Sequence, residues 1–305
     1  MTKEELKIIL REKQGYLKSG TPKLSRLFGI PKKKCGEAVQ EVRKELGLTA
    51  DSAPTKPFKR MFFDIETSPN IMYSWRAGYK INLGHHNIIK ERAIICICWK
   101  WEGDEKVFSL TWDENQCDKT MLEIFTEEMM KADEVIGHNG DRFDIPWLRT
   151  RAVMHQIPFP AYVKSLDTLR KVRNGGFNFN SNKLDYLAQV LLGEHKMETG
   201  GFSLWTSICE SNCKESMTKM VDYCKKDVTL LERVYQKLYT YIKPETHVGA
   251  KLNGSKESCP GCGSAEHTHI KEMHTSAGTE QHLLQCTDCN KYYKVSKTVY
   301  SKMKD

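Results

Sequence analysis

The stretch Met61-Phe62-Phe63-Asp64-Ile65-Glu66-Thr67 constrains this chain more than any other part of it. Its aromatic and β-branched residues predict a strand, and on a strand residues two apart share a face. Asp64 and Glu66 therefore project together, while Phe63 and Ile65 enter the opposite side. Two carboxylates side by side on an apolar strand repel each other and are costly to desolvate. A hard divalent cation removes both penalties. The alternative is a solvated strand face, but the flanking Phe62, Phe63 and Ile65 point to a central strand.

Around that strand the pattern mixes strands with helices. Ile94 to Trp101 and Lys106 to Leu110 read as strands, as does the short Glu134 to Gly137. Helices are expected near 115–131, 145–156, 184–192 and 215–240. Strands followed by strand–helix alternation indicate the α/β class, a mixed sheet covered by helices. With 39% hydrophobic residues and 6 Trp, 12 Tyr and 11 Phe, there is material for a real core, so wholesale disorder is excluded. No window approaches the ~18 apolar residues of a membrane span. The N-terminus lacks the apolar block of a signal peptide, so the chain reads as soluble and cytoplasmic, without a membrane partner.

The net charge of +8 is concentrated at the N-terminus, where residues 1–60 carry 15 Lys/Arg against 7 Asp/Glu. Residues 1–48 read as a small all-α domain with a break at Ser19-Gly20-Thr21-Pro22, then a Gly-containing turn and a longer basic helix. That outline resembles a helix-turn-helix, with Lys32, Lys33, Lys34 and Arg43 as phosphate or groove contacts. Three-helix segments of this size also serve as protein-interaction modules. Residues 49–57 have linker composition.

Two more carboxylates stand in informative settings. Asp144, in His138-Asn139-Gly140-Asp141-Arg142-Phe143-Asp144, follows a strand and a polar loop and takes an N-cap position, with Pro146 in the first turn. Tyr223 and Asp227, in Tyr223-Cys224-Lys225-Lys226-Asp227, are four apart on a helix and share a face.

Taken together, DIET, HNGDRFD and YCKKD resemble, in order and spacing, the three motifs of the DEDD 3′–5′ exonucleases with the tyrosine form of the third, most like the proofreading domain of family B DNA polymerases. Leu166-Asp167-Thr168-Leu169 and Asn182-Lys183-Leu184-Asp185-Tyr186-Leu187-Ala188 extend the likeness, which covers about 58–243. It implies a ribonuclease-H-like fold and two-metal hydrolysis of phosphodiester bonds from a 3′ end. The family pattern makes Asp64, Glu66 and Asp227 ligands of one Mg or Mn ion, with Asp64 bridging to a second and Asp144 acting through water. Tyr223 would orient the attacking water, and Asn139, Phe143 and Lys183 would touch substrate. Phe177 and Phe179 could stack on bases or only pin their Gly/Asn loop, whereas His138 and His155 lack ligand spacing and read as structural.

Eleven cysteines are not spread as a disulfide framework. Cys96 and Cys98 sit in the apolar run taken as a buried strand. Cys259, Cys262, Cys286 and Cys289 form two Cys-x-x-Cys knuckles, the ligand set of one structural zinc ion. Residues 250–305 therefore resemble a zinc ribbon, and His267, His269, His274 and His282 are surplus if all four thiolates bind. Only the ribbon follows the third motif, so proofreading alongside a polymerase in the same chain is not expected. The expected partner is nucleic acid, single-stranded or 3′-ended DNA foremost, with replication or repair proteins beside it. Two other readings stay open: the same fold cutting RNA or cutting internally, and a nucleic-acid-binding protein that uses the core as scaffold.

Overall fold

The computed structural model describes residues 2–13, 16, 21–46, 58–78, 81–253 and 255–303, without the side chains at 21–23, 43, 44 and 253. The expected linker at 49–57 and the Arg43 side chain lie outside the described residues. The chain forms two compact units, Met1–Lys56 and Pro57–Asp305.

In the first unit, helices α1 (Lys3–Glu12), α2 (Thr21–Phe28) and α3 (Lys32–Glu45) surround Leu6, Leu10, Leu24, Ile30, Ala38 and Val42. Thr2 and Glu5 form a capping box at the start of α1. The predicted break at Ser19–Pro22 reaches too far, because α2 already begins at Thr21. Proline is tolerated in a first turn, where its missing N–H would have no partner anyway. Lys3 and Lys7 of α1 pair with Glu41 of α3, and Arg11 with Glu45 at 2.8 Å. Lys32, Lys33 and Lys34 are exposed in the first turn of α3, which holds no acidic residue. That arrangement opposes the helix dipole and is stable only because the lysines are solvated.

The second unit is built on a five-stranded mixed sheet in the order β5-β4-β1-β6-β7, flanked by helices. Its strands are β1 (Arg60–Thr67), β4 (Ile94–Trp101), β5 (Phe108–Thr111), β6 (Glu134–Gly137) and β7 (Ser165–Asp167). The first three meander antiparallel, and β1, β6 and β7 run parallel. Between β1 and β4 a small hairpin is formed by β2 (Ile71–Met72) and β3 (Ile88–Lys90). Alternation along β1 sends Met61, Phe63 and Ile65 to a core shared with α4 (Lys119–Met129) and α5 (Asp144–Met154). Phe62 enters the other core, under α6 (Thr168–Asn174), α7 (Leu184–Leu192), α8 (Ser203–Ser211) and the long α9 (Lys214–Leu238). The expected strands and helices of this region are present, with the β5 strand shifted to Phe108–Thr111.

After α10 (Val248–Asn253), the three-stranded antiparallel sheet β10-β9-β8 is built from β8 (His267–His274), β9 (Glu280–Cys286) and β10 (Tyr292–Ser296), and α11 (Lys297–Lys302) ends the chain. Lys291, only 2% exposed, ties this ribbon to the end of α9. Its ammonium donates to the Ile242 carbonyl at 2.7 Å and to the Tyr239 carbonyl, and lies 4.0 Å from the Tyr239 ring centre. Arg60 reaches Gly261 of the ribbon at 3.3 Å while pairing with Glu102 and Glu134.

One buried charge cluster fixes α5 against the sheet. Asp118, fully buried, accepts from the Ile94 N–H at 2.9 Å, from two Arg151 nitrogens at 2.7 Å each, and contacts His155 at 2.6 Å. Burial pushes its pKa up, but the guanidinium, the amide and the imidazole together bring it below the usual carboxylate range. His155 is thus structural, as its lack of ligand spacing implied. Asp118→Ala leaves Arg151 buried and unpaired and should cost about 3–5 kcal/mol. All six tryptophans lie in the second unit, so urea unfolding followed by tryptophan fluorescence reads this loss directly; a change within ±0.5 kcal/mol would contradict the clasp.

Candidate active site

Asp64 and Glu66 lie near the C-terminal end of β1, past Phe62, the last residue of β1 that pairs with β6. They share the parity of Phe62 and so face α9, as the strand alternation predicted. Helix α9 crosses this face and presents Tyr223 and Asp227 one turn apart. One carboxylate oxygen from each of Asp64, Glu66 and Asp227 falls within 4.8 Å of the other two. Asp144 approaches from α5. It does not cap that helix as expected: Phe143 holds the cap position, and Asp144 is the first helical residue. Its Oδ1 accepts from the Ile65 N–H at 3.1 Å instead. The reason is that β6 leaves this stretch of β1 without a ladder partner, and a buried amide needs an acceptor.

Four acids in so small a space cannot all ionise cheaply. Burial, then the neighbouring Asp144, Glu66 and Asp227, push Asp64 well above the usual carboxylate range. Burial and Asp227 push Glu66 up to about 8, and burial raises Asp144 to about 7 although the Ile65 amide opposes it. Asp227 is also raised by burial, with Lys196 working against the shift.

Lys196, absent from the sequence expectations, is the counter-ion. Its ammonium pairs with Asp227, lies 3.3 Å from the Tyr223 hydroxyl and sits over that ring at 5.3 Å. The Lys196 N–H donates to Asp185 at 2.8 Å, which fixes the loop after α7. The other oxygen of Asp227, Oδ1, is buried with no hydrogen-bond partner among the described residues. Converging oxygens, raised carboxyl pKa values, an orphaned oxygen and one lysine standing in as cation fit a site for hard divalent ions.

The loop after β6 turns tightly. A Cβ on Gly137 would lie 3.1 Å from the Gly140 Cα, and one on Gly140 3.2 Å from the Gly137 Cα, so a side chain at either position would have to push the turn open. Asp167 organises the loop by accepting from the amides of Asn139 at 2.9 Å and Asp141 at 3.3 Å. His138, held by Thr168 at 2.9 Å and the Asn182 carbonyl at 3.0 Å, has its pKa depressed to about 4 by burial and is structural. Asn139 and Lys183 line a cleft of about 550 Å³ that also includes Asn182, Arg173 and Lys196. Phe143 packs instead against the core under α4 and α5. Phe177 and Phe179 stack on each other at 5.7 Å and pack onto the opposite core, which pins their loop.

The second cluster lies in the ribbon. The sulfurs of Cys259, Cys262, Cys286 and Cys289 are all within 4.8 Å of one another, with Cys259–Cys289 at 3.7 Å and Cys262–Cys286 at 3.5 Å. Those separations are far above a disulfide bond and near the ~3.8 Å between tetrahedral ligands at a zinc–sulfur distance of about 2.3 Å. None of the four nearby histidines joins the cluster; His269 and His282 pair with each other at 3.2 Å.

Two expectations follow from these charges. With no divalent ion present, carboxylates whose native pKa is raised stabilise the fold most at low pH, and this contribution fades as pH rises from about 4 through about 7 to 8. His138 acts in the opposite sense, so the comparison is with Glu66→Gln: wild type should lose thermal stability relative to this variant between pH 5 and pH 8, and Mn should restore it most at pH 8. Parallel melting curves at all pH values would refute the assignment. Separately, a strong chelator should strip hydrogen-exchange protection from β8–β10 while β1 and β4 keep theirs, because so small a core (Leu284, Tyr293 and Val295 besides the cysteines) cannot hold the ribbon alone.

Comparison with curated protein sequences finds no match. Among solved structures, the family B DNA polymerase from the hyperthermophilic archaeon Pyrobaculum calidifontis is similar at 14% identity and a TM-score of 0.47, over 72% of this chain and 31% of that one. The chain thus spans about a third of that polymerase's length. A sequence profile of the RNase_H superfamily matches residues 61–239, from the first buried residues of β1 to the end of α9. With more than half of its length matched, and with the mixed sheet of that fold, the chain belongs to the RNase_H superfamily.

Proposed function

We propose that this protein is a metal-dependent nuclease that hydrolyses phosphodiester bonds from the 3′ end of nucleic acid, single-stranded DNA foremost. The observation that carries the reading is the convergence of Asp64, Glu66 and Asp227 within 4.8 Å, with Asp144 on the adjoining edge of β1. Superfamily membership and the three sequence motifs support it.

Asp64, Glu66 and Asp227 would hold one Mg or Mn ion, and Asp64 with Asp144 a second. Two such ions supply charge stabilisation for the attacking and leaving oxygens of an in-line displacement. The residues of the chain do the rest. Tyr223 has its pKa pushed further above neutrality by burial and by Asp227, so it keeps its proton and orients the attacking water as a donor. Lys196 neutralises Asp227 in this structure, and its ammonium would face the phosphate of a bound strand. Asn139, Lys183 and Arg173 line the cleft through which the last nucleotides would lie. The zinc ribbon and the basic first unit would add grip on the strand or on a partner protein.

The test uses 5′-labelled single strands, DNA and RNA, linear and circular, with Mn, Mg or chelator. Linear DNA should shorten stepwise from its 3′ end in Mn or Mg only. Asp64→Ala should lower the rate at least about a thousandfold, the equivalent of ~4 kcal/mol of transition-state stabilisation, with an unchanged far-ultraviolet spectrum. Retained activity in that variant would sink the assignment, cutting of circles would convert the reading to an endonuclease, and faster shortening of RNA would change the substrate. Intact substrate in every reaction would favour the scaffold reading.

A further inference from the structure

Behind the carboxylates lies a second group of ligating atoms that the hydrolytic reading leaves unused. Cys96 and Cys98 are two apart on β4 and so share a face, and β1 pairs Glu66 with Cys96 and Asp64 with Cys98. Both thiols therefore point to the same side of the sheet as the acids, toward α9. Cys224 of α9, next to Tyr223, meets them there. The three sulfurs lie within 4.8 Å of one another and all three residues are fully buried. Cys224 Sγ is 3.7 Å from Asp64 Oδ2 and 3.5 Å from the Asp64 carbonyl, and Cys98 Sγ is 3.8 Å from the Val221 carbonyl.

We propose that Cys96, Cys98 and Cys224 form a binding site for a thiophilic divalent cation of the zinc–cadmium class, and that its occupation inhibits the enzyme. Three thiolates around one such ion at about 2.3 Å would stand about 4 Å apart, and the three sulfurs already lie within 4.8 Å of one another, so closing on an ion takes only a small movement. Buried cysteines often serve only as small apolar residues. Here they come from two elements, converge on one point and adjoin ionisable oxygens, which packing alone does not require. Ligand softness separates the two compartments: Mg and Mn belong to the oxygens and a thiophilic ion to the sulfurs. The half-buried acids stand between the thiols and solvent, so the ion would enter past Asp64 and Glu66. Binding displaces thiol protons to solvent and draws Cys224 toward the ion, away from Asp64. Asp64 then loses its present setting, and the site for the hard ions is distorted.

The inhibitory part rests on the proposed hydrolysis; the binding part does not, and the two are measured separately. Full-length protein with zinc in its ribbon is held in excess Mg with a phosphine reductant and titrated with Cd, following the ultraviolet thiolate-to-cadmium absorbance. Wild type should reach an end point of two thiolate-bound ions per chain, one in the ribbon by exchange and one in the new site. Cys98→Ala and Cys224→Ala should stop at one. A wild-type end point of one overturns the proposal without reference to either variant, and so do equal end points in wild type and folded variants. In the activity arm, Cd should slow wild-type hydrolysis about tenfold or more and leave Cys98→Ala within about twofold of its own rate. Equal slowing in both would place the effect at the carboxylates and overturn the inhibitory part. Absence of hydrolysis without Cd would refute the nuclease reading and leave the absorbance result standing.

Discussion

Mutual repulsion of four carboxylates at one end of a buried strand is the constraint on which this structure turns. Asp64 and Glu66 gain nothing for the fold by standing together, and Asp144 and Asp227 add to the penalty. The protein tolerates the arrangement through three means. Protonation relieves part of the charge, the direction in which burial and mutual repulsion push these groups. Lys196 supplies one positive charge from a loop. Packing elsewhere holds the elements in place: the Asp118–Arg151 clasp sets α5, and the buried Lys100–Glu232 pair ties α9 to β4. Each of those pairs leaves a costly unpaired charge if one partner is removed, so the site's geometry is enforced from outside the site.

Much of this was legible in the chain itself, where periodicity speaks. The two-residue alternation of β1 put Asp64 and Glu66 on one face, and the four-residue spacing of α9 aligned Tyr223 with Asp227. Both rules follow from local backbone geometry, so one sequence suffices to apply them. Asp144 was read as acting on a metal ion through water from an N-cap position, because local chemistry favours aspartate there. The structure gives it a different acceptor role because the ladder between β1 and β6 is short, a tertiary fact with no local signature. Lys196 was invisible for the same reason. Its partner Asp227 lies 31 residues away, and a lysine in Gly193-Glu194-His195-Lys196 looks like any solvated charge. Asp167 left a partial signal, since its Leu166-Asp167-Thr168-Leu169 segment drew attention, but its grip on the Asn139 loop did not.

The ribbon shows how a small cysteine-rich module becomes part of a larger unit. Lys291 follows the second knuckle and is buried against the end of α9, where burial lowers its pKa to about 8. A buried ammonium with two carbonyl acceptors and an aromatic face is a demanding contact that requires both partners folded. Its position two residues beyond Cys289 places the second knuckle beside Tyr239 and Ile242. The cysteine cluster and the end of α9 are thereby linked through one side chain, with Arg60 adding a second tie at Gly261.

Helix α9 makes the remaining connection. Its 25 residues carry Tyr223, Cys224 and Asp227 on the face turned to the sheet, and Val228, Leu231 and Val234 are buried in the core beyond them. One continuous helix fixes the relative positions of the tyrosine, thiol and carboxylate. Their distance from β1 is set by apolar packing and by Glu232, which accepts from the Gly103 amide at 2.8 Å and pairs with Lys100. The acids are therefore close before any ion binds, and their repulsion is carried by the hydrophobic contacts of the same helix. Such pre-organisation lowers the entropic cost of bringing the carboxylates together, while the Oδ1 of Asp227 is left buried without a hydrogen-bond partner among the described residues.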